Sequence, residues 1–180
     1  IFEEREHTDN ETIISSFNSI FDTELRFNDQ WKLSSQVGIQ WDQSSQEQYV
    51  GENTFNMRNI REDSSYDENQ YIVPKGGMHT VNNATTSQIT WKVQGEYKNT
   101  FNDIHDIQIM AGSEIRKNWY NTQFTAGYGY DPKTLTTKPL NIRNDKDAEK
   151  YKLHTKTYQE NAFASFYTTG SYSFMSRYTI

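Results

Sequence analysis

Residues 88–98 read Gln88-Ile89-Thr90-Trp91-Lys92-Val93-Gln94-Gly95-Glu96-Tyr97-Lys98. Apart from Gly95, the odd positions from Ile89 are apolar or aromatic, and the even ones are polar or charged. Successive side chains of a strand point to opposite sides of the pleat, so this period of two predicts a β-strand with one apolar and one polar face. The pattern recurs on either side. Ile13, Phe17, Phe21, Leu25 and Phe27 carry it over 13–27, and Trp31, Leu33, Val37, Ile39 and Trp41 over 31–41. Ile107, Ile109, Ala111 and Ile115 carry it over 107–115, and Ala164, Phe166, Gly170, Tyr172 and Phe174 over 161–174. Five strands are expected, with Tyr178-Thr179-Ile180 opening a sixth. The single short helical candidate is Asp145–His154.

The connections alternate in length. Asn28-Asp29-Gln30, Asn102-Asp103-Ile104-His105 and Met175-Ser176-Arg177 are hairpin-sized, and Asn and Asp supply turn chemistry in the first two. Between them lie long polar stretches, about 43–87 and 117–159, which are expected to be loops. Ile13–Phe27 spans 15 residues, or roughly 50 Å at about 3.3 Å per residue, whereas ordinary strands run about 5–6 residues. Long strands with short turns on one rim and long loops on the other fit a segment of a large transmembrane β-barrel. The expected fold class is therefore all-β and antiparallel, with residues 1–180 forming a partial barrel without a plug. Phe27, Trp31, Phe101, Phe174 and Tyr178 would form one interfacial girdle, and Trp41 and Trp91 the other. On that reading Phe17, Phe21, Leu25, Val37, Ile39, Trp91, Val93, Ile107 and Ile109 face lipid. The alternative that the same alternation allows is a soluble β-sandwich binding module, a carbohydrate binder for example.

Composition narrows the classes. The chain has 180 residues, with 18 Lys plus Arg against 24 Asp plus Glu and a formal charge of −6, which argues against a nucleic-acid binder. Only 33% of residues are hydrophobic, yet 14% are aromatic, which argues against disorder. No cysteine is present, so disulfides, zinc–thiolate sites and cysteine nucleophiles are excluded. No apolar run reaches the length of a membrane helix. A start at Ile1 and a last stretch that opens a new strand suggest a piece of a longer chain.

Three stretches resemble the SusC/RagA-type TonB-linked outer-membrane transporters. The first is Pro74-Lys75-Gly76-Gly77, then Thr86-Ser87-Gln88-Ile89-Thr90-Trp91, then Tyr97-Lys98-Asn99-Thr100-Phe101-Asn102-Asp103-Ile104-His105-Asp106. The second is Met110-Ala111-Gly112-Ser113-Glu114-Ile115-Arg116 followed by Gly127-Tyr128-Gly129-Tyr130. The third runs from Glu160-Asn161 through Phe166 and Ser171-Tyr172-Ser173-Phe174 to Arg177-Tyr178. The resemblance implies a middle section of a plugged 22-stranded barrel in the bacterial outer membrane. It further implies import of glycans or peptides driven by TonB, which acts through an amino-terminal part outside this stretch. A SusD-type surface lipoprotein would close over the long loops.

Nothing in the sequence nominates a catalytic, cofactor or metal site. His7, His79, His105 and His154 are scattered without metal-ligand spacing. Glu3, Glu4, Glu6, His7 and Asp9 read as a solvated acidic run, and Glu62, Asp63, Asp67 and Glu68 as loop acids rather than a glycosidase pair. Gly127-Tyr128-Gly129-Tyr130 reads as loop geometry rather than a phosphate cradle. Residues 43–87 hold three more acidic than basic residues, and 131–158 three more basic than acidic. This asymmetry suits complementarity to a partner lid. Trp119, Tyr120, Phe124, Tyr128 and Tyr130, expected at and beyond the outer end of the fourth strand, are the candidate ligand contacts because rings stack on sugars and peptide side chains.

Overall fold

The computed structural model describes residues 7–175 and 177–180. Its main element is a six-stranded sheet with strands in chain order: β1 (Thr8–Arg26), β2 (Trp31–Val50), β5 (Gly77–Phe101), β6 (His105–Tyr130), β7 (His154–Phe174) and β8 (Tyr178–Thr179). Between β2 and β5 lie helix α1 (Phe55–Glu62) and the hairpin of β3 (Ser65–Asp67) and β4 (Gln70–Tyr71). Helix α2 (Asp145–Lys150) precedes β7. Contacts divide the chain into two compact units, each with its own logic.

One unit, here the ladder, comprises Ser16–Asp42, Thr86–Tyr120 and Gln159–Ile180. Two of its turns form for local reasons. At the first, the Asn28 side-chain oxygen accepts from the Gln30 and Trp31 backbone N–H groups, at 2.9 and 2.8 Å. At the second, Asn102 and Asp103 both adopt positive φ (51° and 55°), which these residues tolerate better than most. Within the third, Ser176 lies outside the described residues, and Arg177 N–H donates to the Phe174 carbonyl at 3.0 Å. Among the described residues this unit buries no hydrophobic side chain. Phe17, Phe21, Leu25, Ile39, Trp91 and Ile109 are exposed, and Val37, Val93 and Ile107 are half-buried. A sandwich would bury such side chains against a second sheet, whereas the strands of this unit all belong to one sheet.

The other unit, here the cap, comprises the segment up to Ser15, Gln43–Thr85 and Asn121–Tyr158. It has a core of Val50, Met57, Ile72, Val73 and Tyr151, with Ile60, Tyr66, Met78, Tyr128 and Leu140 packed against it. Helix α1 starts at Thr54, whose hydroxyl accepts from Met57 N–H (3.1 Å) and donates to the Gly51 carbonyl (2.8 Å). Helix α2 is capped by the Asn144 side chain, which accepts from Asp147 N–H at 3.0 Å. Asp145 and Asp147 in its first turn and Lys150 in its last match the helix dipole.

Two sequence expectations need correction. Strands continue into both stretches read as loops: β2 reaches Val50, β5 begins at Gly77, β6 reaches Tyr130 and β7 begins at His154. Their Ser, Gln, Asn and Thr residues show no hydropathy alternation, yet ladder pairing needs only backbone groups. The true connections are 51–76 and 131–153, and they fold back into a core instead of remaining open loops. Helix α1 was not expected at all.

Candidate functional site

The two faces of the ladder differ in chemistry. On the even side, Lys32 bridges Glu24 (3.4 Å) and Glu96 (3.3 Å), and Gln36 donates to Asp22 at 2.7 Å. Arg26 joins Glu24 at 2.7 Å, and Gln94 donates to Glu96 at 2.7 Å. Tyr167 from β7 reaches the same side, where its hydroxyl donates to the Gln94 side chain (3.1 Å) and its ring meets the Lys92 ammonium at 5.5 Å. Asp22, Lys32, Gln36, Lys92, Gln94 and their neighbours line a concavity of about 430 Å³. Charges of both signs that neutralise one another make this a hydrophilic wall with little net field.

The odd side is mainly apolar, and several of its rings contact one another or a neighbouring hydroxyl. Trp31 and Tyr97 rings meet at 4.7 Å. The Trp91 indole N–H donates to the Ser35 hydroxyl at 3.0 Å, which satisfies the ring's one donor. His105 stacks on Tyr172 (5.9 Å), and its Nδ1 lies 2.7 Å from the Tyr172 hydroxyl. Ser35 lies between Trp31 and Trp41 on β2, so its bond with the indole ties Trp91 of β5 to the middle of that stretch.

The five candidate ligand contacts lie inside β6 rather than beyond it, and they do not form one platform. Trp119 and Tyr120 belong to the ladder, and as strand neighbours they point to opposite faces. The Lys117 ammonium stands 5.2 Å over the Trp119 ring and pairs with Glu160 at 2.6 Å. Phe124, Tyr128 and Tyr130 belong to the cap. Phe124 is exposed, whereas Tyr128 packs edge-on against Tyr151 at 6.2 Å. Burial, followed by the nearby Tyr151, raises the Tyr128 hydroxyl pKa above its ordinary value. Tyr130 stacks on His79 (4.8 Å) and meets Tyr49 edge-on (5.6 Å).

His79 pairs with Glu47 at 2.6 Å, and His154 Nδ1 lies 3.4 Å from the Thr125 hydroxyl. Together with His105 these rings stand on separate strands, and no cluster of metal-ligating side chains occurs among the described residues. Of the acidic run near the start, Glu3, Glu4 and Glu6 lie outside the described residues. Sequence reasoning missed the groove formed by Asp9, Glu11, Glu47, Tyr49, His79 and Tyr130. Its members come from four separate strand ends, and no local motif joins them.

No protein-family model matches the chain, and no curated protein sequence does. Solved structures match over nearly its whole length. A chain in the structure of the RagAB peptide transporter superposes on 94% of this chain with a TM-score of 0.72 and 15% identity. The RagAB peptide importer in its "closed-closed" state gives 0.69 and 14%, and in its "open-open" state 0.72 and 15%, each over 94% of this chain. The match covers 16–17% of those chains, so this chain spans about a sixth of their length. The fold is that of a segment of these transporters, as the sequence resemblance implies, and the sandwich alternative is set aside.

Proposed function

We propose that this chain is a wall segment of an outer-membrane β-barrel importer of the SusC/RagA type. It would face lipid with its apolar side and a wet lumen or plug with its polar side, and carry no catalytic role. The observation that supports this most is the ladder itself, one sheet thick, with an exposed apolar face and a self-neutralised polar face. In water each exposed Phe or Leu forgoes about 1.5–3 kcal/mol of burial; hydrocarbon restores it. Lipid-facing roles follow for Phe17, Phe21, Leu25, Val37, Ile39, Trp91, Val93, Ile107 and Ile109.

Peptide is the favoured cargo, since the matched structures are described as peptide transporters and importers. Energy would come from TonB, acting on a part of the protein outside this stretch. A surface lipoprotein would meet the cap connections 51–76 and 131–153. Trp119, Tyr120 and Phe124 remain the ligand-contact proposals, whereas Tyr128 and Tyr130 already have intramolecular ring partners. Uptake of a labelled peptide by cells expressing the full-length protein should cease when the inner-membrane proton gradient is collapsed. Uptake that survives collapse would contradict active import. Co-purification of a lipoprotein should be lost on trimming 131–153, and persistence of the complex would remove that partner.

A further inference from the structure

On the cap, β2 and β5 use their two faces differently. Val50 and Met78 enter the core cluster, while Glu47, Tyr49 and His79, at positions of the other parity, line a groove of about 310 Å³. Glu47, Tyr49 and His79 thus put that groove on the face of the sheet opposite the core, and of the cap's connections Pro132 and Leu135 reach its edge. One wall is aromatic: Tyr130 stacked on His79 at 4.8 Å, with Tyr49 against Tyr130 at 5.6 Å. Pro132 and Leu135 form an apolar lip. They belong to a tight turn closed by Asp131 N–H donating to the Thr136 carbonyl at 2.9 Å, and Leu135 is 73% exposed. The remaining lining is Asp9, Glu11 and Glu47. Glu47 is engaged by His79, while Asp9 and Glu11 have no ion pair among the described residues. The Tyr49 hydroxyl is held above its ordinary pKa by burial first, then by Tyr130, Asp131 and Glu52.

We infer that this groove receives one lysine or arginine side chain of a polypeptide partner that approaches the sheet on the face away from the cap core. A ring wall attracts a cation through its quadrupole. An apolar lip suits the methylene stem that Lys and Arg bury while their charged head stays polar. The exposed carboxylates of Asp9 and Glu11, without an ion pair among the described residues, complete the match, because only a cationic head would compensate them. The inference stands apart from the transport reading, since it concerns the cap alone.

The test uses the full-length protein in detergent micelles and p-aminobenzamidine, an aryl amidinium whose fluorescence rises in a partly dry site. Wild type should give saturable enhancement, at least tenfold weaker in affinity in the Asp9→Asn/Glu11→Gln double variant. Both side chains are exposed, so this variant keeps the fold. Acetyl-Gly-Lys-Gly-amide should displace the probe, and its norleucine isostere should not. Equal affinity in the double variant, equal displacement by the two peptides, or no enhancement in wild type would each overturn the inference. None of these results bears on whether the protein imports peptide.

Discussion

The cap and the ladder share strands yet are stabilised in opposite ways. The cap buries Met57, Val73, Val50, Ile72 and Tyr151 around two short capped helices, so its stability comes from inside. The ladder has backbone pairing, a polar network on one side and exposed apolar side chains on the other, so on the proposed reading its hydrophobic stabilisation comes from lipid. The difference teaches that an exposed apolar face is informative when the same chain shows, one unit away, that it can build an ordinary core.

The largest expected effect breaks the cap alone. Met57→Ala removes a fully buried side chain and should cost about 2–5 kcal/mol. Hydrogen exchange on the full-length protein should show protection lost in 55–62 and 145–150 and kept in 86–120. Equal loss in both would mean that the two units are not stabilised separately. Next comes a substitution in the ladder. If Val93 faces lipid as proposed, Val93→Arg places charge in hydrocarbon and should cost about 2–4 kcal/mol in vesicles. Gln94→Arg, on the polar face, should cost less in the same urea titration, about 1 kcal/mol for the hydrogen bond it can no longer accept from Tyr167.

A smaller effect tests the ladder's internal fit. A Cβ on Gly112 would run into the Tyr167 ring, so Gly112→Ala should cost about 1–3 kcal/mol. Most of that should disappear in a Tyr167→Ser background, because the two residues share one contact. Additive costs would show that the ring is not held over the glycine. The smallest effect returns to the cap. Thr54→Ala removes the α1 N-cap bond and should cost about 1 kcal/mol, visible as faster exchange at Met57 with the ladder unaffected.

Much of the ladder was legible in the sequence, because Gln88–Lys98 and its counterparts put hydrophobicity on every second residue. The cap was not. Helix α1 offers one buried side chain, Met57, and its start signal is a lone Thr54, too little for a helical period. Strand extensions such as 43–50 and 117–130 carry polar residues whose pairing is fixed by neighbouring backbone. Opposite facing of Trp119 and Tyr120 was readable from their adjacency. The packing of Tyr128 on Tyr151 was not, since it depends on 131–153 folding back over the strand ends.

As a wall of a barrel, the ladder would turn Val93 to lipid and Gln94 to water. Single cysteines at 93 and 94, in a stretch with no cysteine of its own and with any cysteine elsewhere in the full-length protein replaced by serine, test this directly in vesicles with a lipid-soluble and a water-soluble thiol probe. Position 93 should react with the lipid-soluble probe alone, and position 94 with the water-soluble probe alone. Protection of position 93 from both probes would mean that protein covers the apolar face, and would contradict the membrane account.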